Sequence, residues 1–311
     1  MKISGTRIVA VCSQPLATAK ALAAEIHGAT PAVFSDFGRM LDEAELDVLY
    51  ICLPPFAHSG QFEAAAARGI HIFIEKPIAL TLERARSMVA AARRAKIVTQ
   101  VGYHMRFGGA VRKLKTMIDD GSAGQPTLFV GRFECNSLHS PWWRDIRKSG
   151  GQVFEQAIHL YDLSLHLLGK PRVVAGFTSN LCHRETEGYS IEDTSAAIVR
   201  FGTDALASIS ATNCAMPLQW NVPFTVVCEK LTGYFANHNE ATFVFTAGAK
   251  PRTLKVATAV DPFLEEDRAF IAAARGRKAP TATVEEGLTG LRMVAGVQES
   301  SLKNGAPVRL G

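Results

Sequence analysis

The first hundred residues alternate short apolar runs with stretches of helical spacing. Residues 7–12, 32–35, 48–53, 71–74 and 97–101 are nearly continuous apolar runs rich in β-branched side chains, and are predicted as strands. Between them, residues 16–26, 37–46, 58–68 and a segment from Thr81 to about Ala95 read as helices. Gly28 and Gly69 stop two of these helices, and Thr81 can cap another, with Glu83 in its first turn. Strands without polar alternation, separated by helices, predict a parallel sheet covered on both faces.

The pattern changes after Phe107. A helix over 110–119 ends at Gly121, a strand follows over 127–134, then a loop rich in Trp and Arg, then a long helix over 153–168. Strand-like runs at 172–178, 194–201, 205–211, 223–229 and 241–245 are joined by polar or glycine turns, which suits an antiparallel sheet. Helices over 262–274 and 284–302 complete the pattern. The expected architecture is therefore α/β. A parallel-sheet domain over 1–107 precedes an α+β domain over 108–311, built on a large, mostly antiparallel open sheet.

The chain has 311 residues, 47% hydrophobic and 20% charged, an ordinary globular composition with room for two domains. The formal net charge of +5 is scattered, with no basic stripe interleaved with aromatics, so nucleic-acid binding is not expected. No apolar run is long enough to span a bilayer, and residues 1–6 lack the apolar core of a secretory signal. None of the six cysteines forms a C-x-x-C pair, and Cys12 and Cys52 fall in predicted buried strands. They read as reduced core residues of a cytoplasmic protein, not as a disulfide frame or a zinc site.

Two constellations carry chemistry. The strand at 71–74 ends in Glu75-Lys76-Pro77, which places two charges at the carboxyl end of a buried strand, where open α/β sheets bind ligands. A partly desolvated lysine there is suited to proton transfer; a plain ion pair closing the strand is the alternative. In the helix over 153–168, Glu155, His159, Asp162 and His166 fall at i, i+4, i+7 and i+11, on one face of an otherwise apolar helix. A carboxylate one turn from a histidine would orient the ring and raise its pKa. Asp162 could instead hold His159 or a backbone amide, and His166 reads as structural. Three ligands on one straight helix diverge over about 10 Å, so proton transfer is preferred to a metal. Ser149-Gly150-Gly151 would let backbone amides approach a flat ligand. Trp142-Trp143-Arg144 would wall the pocket or simply pack.

Together these segments resemble the glucose–fructose oxidoreductase/inositol dehydrogenase (Gfo/Idh/MocA) family. The matching stretches are Val9-Ala10-Val11, Cys52-Leu53-Pro54-Pro55-Phe56-Ala57-His58, Glu75-Lys76-Pro77, Gln100-Val101-Gly102-Tyr103-His104-Met105-Arg106-Phe107, Ser149-Gly150-Gly151 through His159-Leu160-Tyr161-Asp162, and Gly305 to Leu310. The resemblance implies a Rossmann domain, NAD(P)-dependent oxidation or reduction of a sugar or cyclic polyol, and a homo-oligomer, dimer or tetramer, formed through the C-terminal sheet. It makes Lys76 the catalytic lysine and His159 the acid/base histidine, with Glu155 where many members carry Asp. It implies cofactor contacts from Ser13, Leu53, Pro54, His58, Glu75 and Lys76. Substrate contacts are expected from His104, Arg106, Trp143, Arg144 and Asp162.

One element of the family pattern is not in the sequence. No G-x-G-x-x-G occurs in it, and residues 7–12 match the family's second strand, not its first. The difference is one strand–loop–helix, on the order of 20–30 residues. The Rossmann domain is thus expected to be incomplete, with the strand at 7–12 closing up against that at 48–53 only if the covering helices move. Three readings follow: a start upstream, with Met1 internal to the first helix, which is favoured; a ligand-binding or oligomer-partner protein without redox activity; or an altered, weak cofactor site. Ser13, where NAD-preferring members carry an acid, leans towards NADP, although no arginine stands at Gln14 to take a phosphate.

Overall fold

The computed structural model describes residues 3–217, 219–248, 250 and 252–311. Met1, read above as internal to a longer chain, lies outside them. The N-terminal domain follows its apolar runs: β1 (Ala10–Cys12), α1 (Leu16–Ala24), β2 (Ala32–Phe34), α2 (Phe37–Glu43), β3 (Val48–Ile51), α3 (Gln61–Ala67), β4 (His71–Ile74), α4 (Leu82–Ala95) and β5 (Thr99–Val101). Asp36 and Thr81 cap α2 and α4, their side chains accepting from the Arg39 and Arg84 amides. Every ladder here is parallel.

The five strands nevertheless form two sheets, β1–β2 and β3–β4–β5. Among the described residues no ladder joins β1 to β3, so the closure considered above does not occur. The helices explain why: α1 packs on both β1 and β2, while β3 is held by β4 and α3. Each sheet travels with its own cover.

The C-terminal domain contains α5 (Gly109–Asp119), β6 (Pro126–Glu134), the short α6 (Pro141–Arg144) and α7 (Ile146–Ser149), α8 (Ile158–Leu168), β7 (Pro171–Ser179), β8 (Thr194–Phe201) and β9 (Leu206–Thr212). It continues through β10 (Phe224–Cys228), β11 (Leu231–Asn237), β12 (Glu240–Phe245), β13 (Arg252–Ala257), α9 (Pro262–Ala274), α10 (Val284–Leu302) and β14 (Val308–Arg309). Nine strands form one sheet in the order β13-β12-β11-β10-β6-β9-β8-β7-β14, antiparallel except for β6 against β9. Three of them, β11, β13 and β14, are additions to the sequence reading. In β11, Gly233 breaks the apolar run, and a Cβ there would lie 2.9 Å from the Phe235 ring. β13 is an edge strand carrying Arg252 and Lys255, the charged style that discourages further pairing.

The inner sheet face buries Phe129, Phe133, Val199, Ile209 and Val226 with Leu160 and Leu163 of α8 and Leu291 and Val294 of α10. α10 packs on β7, α8 and also α4, which ties the two domains together. On the other face, Tyr234, Thr225, Val130, Ser208 and Ile198 form one in-register row, with Tyr234, Val130 and Ile198 exposed. Among the described residues no helix is long and apolar enough to cross a membrane. All six cysteines are free thiols. Four are less buried than the expected core residues: Cys12 and Cys214 are only half-buried, Cys182 is exposed beyond the end of β7, and Cys52 is exposed because β3 ends one residue before it, at Ile51.

Candidate active site

Glu75, Lys76 and Pro77 leave the carboxyl edge of β4, and the Lys76 side chain crosses to the C-terminal domain. Its Nζ donates to Glu155 Oε1 and, at 2.5 Å, to the Glu155 backbone carbonyl. The two side chains are only 16% and 17% exposed. The Trp143 indole donates to Glu155 Oε2 at 2.9 Å, so both carboxylate oxygens are engaged. Glu155 lies in a π turn, Val153–Ala157, which replaces the first turns of the expected α-helix. Such a wide turn loosens the local backbone ladder, which suits a carbonyl that also accepts from Lys76.

His159 follows in α8 and is 7% exposed. Its ring meets the His104 ring edge-on at 4.6 Å and the Tyr103 ring at 6.2 Å, and its Nδ1 has no hydrogen-bond partner among the described residues. His104 in turn stacks on Phe263 at 4.5 Å and meets His238 at 5.7 Å. Burial holds His159 well below the ordinary histidine range, and the nearby His104, Lys76 and His238 push it the same way. Burial also takes His104 down to about 3, helped by His238 and Lys76. Both rings are therefore neutral near pH 7, with a lone pair available on each. This corrects the sequence expectation: Glu155 is committed to Lys76 and Trp143 and does not orient His159, and burial lowers the histidine instead of a carboxylate raising it.

The other expected site residues divide. Glu75 stays beside Lys76; burial raises its carboxyl, and Lys76 opposes that rise. Gly102 makes room for it, since a Cβ there would lie 2.6 Å from Glu75 Oε2. Leu53 and Pro54 are half-buried just beyond β3. His58 braces this edge, with its ring nitrogens 2.8 Å from the Ile78 carbonyl and 3.1 Å from the Leu53 carbonyl. Ser13 lies at the end of β1, where its amide donates to the Phe34 carbonyl at 3.1 Å, in the sheet separate from β4. Trp143 is buried as the partner of Glu155, while Arg144 braces its own loop, donating to the Leu138 and His139 carbonyls.

Arg106 and Asp162 meet each other and present no surface to a ligand. The Arg106 guanidinium binds both Asp162 oxygens, at 2.8 and 2.6 Å, and Glu286 at 2.9 Å, with the Arg106 and Asp162 side chains 2% and 1% exposed. Glu286 is also the capping-box residue of α10, so this cluster clamps the 104–107 turn, α8 and α10 together.

The Ser149-Gly150-Gly151 turn likewise serves the fold. The Val153 amide donates to buried Glu192 at 2.7 Å and so is not presented to a ligand. Gly151 has φ +103°, and a Cβ on it would lie 2.4 Å from Glu192 Oε2. Gly151→Ala is expected to destabilise the protein by roughly 1–3 kcal/mol through backbone strain and this clash. Urea unfolding checks it; an unchanged midpoint would remove the stated reason for the glycine.

His238 and Phe263 complete the surroundings of His104 and were not among the residues expected from the sequence. His238 sits in the turn between β11 and β12, and Phe263 in the first turn of α9. Neither position carries a local signal, because only the packing of distant elements brings them to the site.

Known proteins resemble this chain over both domains. A model described as an oxidoreductase family with an NAD-binding Rossmann fold matches residues 1–103, and a GFO/IDH/MocA C-terminal domain model matches residues 111–232. The chain is 25% identical over 283 residues to the myo-inositol 2-dehydrogenase of Thermotoga maritima, covering 89% of this chain and 84% of that protein. It is 30% identical over 137 residues to the uncharacterized oxidoreductase YrbE of Bacillus subtilis, covering 44% of this chain and 40% of that protein. The match to YrbE thus spans less than half of either protein. A solved structure of levoglucosan dehydrogenase in complex with NADH and levoglucosan shares the fold, with a TM-score of 0.87 at 22% identity, covering 97% of this chain and 90% of that one. The two models of one family, met in succession along both domains, establish that the chain belongs to the GFO/IDH/MocA family of oxidoreductases.

Proposed function

We propose that the protein is an NAD(H)-dependent oxidoreductase acting on a hydroxyl or carbonyl group of a sugar or cyclic polyol. The observation that carries this reading is the meeting of Lys76 with Glu155 beside a buried, neutral His159. The names of the relatives support the substrate class: an inositol dehydrogenase by sequence, and a levoglucosan dehydrogenase by fold. The NADH in the latter supports NAD(H), and the lean towards NADP drawn from Ser13 has no support.

In the oxidation direction a lone pair on His159 accepts the proton of the reacting hydroxyl. The Lys76 ammonium, held by Glu155, donates to the same oxygen and stabilises the negative charge that develops there. A nicotinamide held at this edge would supply the hydride acceptor for oxidation and the donor for reduction. In reduction, protonated His159 returns its proton to the carbonyl oxygen. Burial, together with the nearby His104, Lys76 and His238, disfavours a proton on His159 and so holds it neutral. Leu53, Pro54, Glu75 and Lys76, at the carboxyl edge of β3 and β4, fit the nicotinamide end of the cofactor. A glycine-rich phosphate cradle is not among the 311 residues. A cytoplasmic homo-oligomer assembled through the exposed Tyr234–Ile198 row remains part of the proposal.

One observation favours a second reading, a ligand-binding or oligomer-partner protein without redox activity: the β1–β2 pair is not laddered to β3–β4–β5. The purified protein, incubated with NAD+ and a panel of inositols, aldoses and anhydrosugars, separates the two. Substrate-dependent NADH absorbance is expected; its absence for the whole panel at millimolar cofactor would favour the second reading.

The pH dependence adds a sharper check. His159 must be neutral to accept the proton, and it titrates below the free value of roughly 6.5. The acid limb of kcat/KM for oxidation is therefore expected below pH ~6.5, with activity sustained as pH falls from 7.5 towards that value. A limb centred above it would contradict a base held down by burial.

A further inference from the structure

A second cluster lies at the edge of the large sheet, away from Lys76. In the order β9-β8-β7 the strands are antiparallel neighbours, so the end of β7, the start of β8 and the end of β9 share one edge. Asp193 precedes β8, Cys214 follows β9, and Cys182 lies in the loop after β7. Donor atoms of these three residues lie within 4.8 Å of one another. Thr194 pairs with both Ser179 and Thr212 across the ladders, and the Asn213 amide donates to the Asp193 carbonyl at 2.7 Å. Asp193 and Cys214 therefore stand at rigid strand ends, and Cys182 on the loop beside them.

We propose that Cys182, Cys214 and Asp193 form a binding site for a thiophilic divalent cation, Zn2+ by its chemistry, with the fourth position taken by water. Two sulfurs and one oxygen are a normal zinc donor set, and three protein ligands leave one open position. Tetrahedral coordination with metal–donor bonds of about 2.0–2.3 Å puts donors roughly 3.3–3.8 Å apart, so closing the cluster takes movements of about an ångström. Asp193 is positioned to remain ionised. It is buried, and its carboxylate accepts from the Leu181, Cys182 and His183 amides, which wraps the Cys182 loop around it. Three of these amide bonds fall on Oδ2 and one on Oδ1. Among the described residues no Lys or Arg side chain pairs with this carboxylate. Cys182 is exposed, which gives a metal its entry path.

Thiol ligands bind a metal as thiolates, so metal binding displaces protons and affinity is expected to fall as pH falls. The site would brace the wall of the candidate active site. Asn213, next to Cys214, accepts from Cys135 and the Ser137 amide and donates to the Tyr189 hydroxyl, and the Tyr189 ring meets Trp143.

The test is a Cd2+ titration of the chelator-treated protein under a non-thiol reductant, following thiolate-to-cadmium charge-transfer absorption, with Zn2+ competition. One equivalent bound, with release of protons and displacement by Zn2+, is expected. Cys182→Ser and Cys214→Ser are each expected to abolish or strongly weaken the band, whereas Cys52→Ser, at another exposed thiol, leaves it unchanged. Circular dichroism confirms that each variant is folded. Absence of the band at equimolar metal, or a band that survives in folded Cys182→Ser, would overturn the proposal. A Cys182–Cys214 disulfide in the isolated protein, with no metal uptake after reduction, would overturn it equally.

Discussion

His159→Ala is expected to lower kcat for polyol oxidation roughly a hundred- to ten-thousand-fold, the usual contribution of a positioned general base. KM is expected to change much less, because the lost interaction belongs to the step in which the proton moves. Lys76→Ala is expected to lose a comparable factor for a different reason. Without the ammonium, the oxygen that sheds its proton has no cation to stabilise it, and Glu155 is left in a largely enclosed site with only Trp143. Lys76→Arg is a useful companion, since it keeps the charge but changes the geometry. Steady-state kinetics with the best substrate from the panel decide the matter. Near-normal turnover in folded His159→Ala would remove that residue from the chemistry.

The second large effect concerns stability. Arg106→Leu is expected to cost about 3–5 kcal/mol, because it strands the Asp162 carboxylate, 1% exposed, without its bidentate partner. The double variant Arg106→Leu/Asp162→Leu is expected to recover much of that loss, since a buried pair replaced by apolar groups leaves no stranded charge. Urea unfolding of the wild type, Arg106→Leu, Asp162→Leu and the double variant forms the cycle. A single variant within about 1 kcal/mol of wild type would show that the clamp between the 104–107 turn, α8 and α10 is not needed by the fold.

Arg106 also illustrates how far the sequence could be read. Its position in Gln100–Phe107 beside a polar-lined pocket suggested a substrate contact. The partners that bury it, Asp162 and Glu286, lie on distant helices, and nothing local distinguishes an arginine that meets a ligand from one that clamps two helices. Lys76, Glu155 and His159 were legible because each breaks an otherwise apolar element, and a charge placed there needs a reason. Their pairing was not. The spacing of Glu155 and His159 assumes a regular α-helix, and the π turn over Val153–Ala157 directs Glu155 to Lys76 instead.

The strands followed the same rule. Apolar runs such as β4 and β8 were plain from their side chains. β13 was hidden by its exposed lysine and arginine, and β11 by a glycine whose purpose is to admit two aromatic rings. Separation of the parallel strands into two sheets depends on which helices cover which strands, a tertiary property that periodicity does not contain. The Cys182–Asp193–Cys214 cluster was invisible for a related reason. Its members are far apart in the chain and meet only through the order of β7, β8 and β9.

In the proposed function the chain moves a hydride between a polyol carbon and a nicotinamide, with His159 taking the proton. The most direct measurement uses a substrate from the panel carrying deuterium on its reacting carbon. The purified protein is incubated with it and NAD+, and the product nicotinamide is weighed by mass spectrometry. Deuterium-labelled NADH is expected from the wild type and almost none from folded His159→Ala. Unlabelled NADH, no NADH from any member of the panel, or equal labelling in the variant would contradict it.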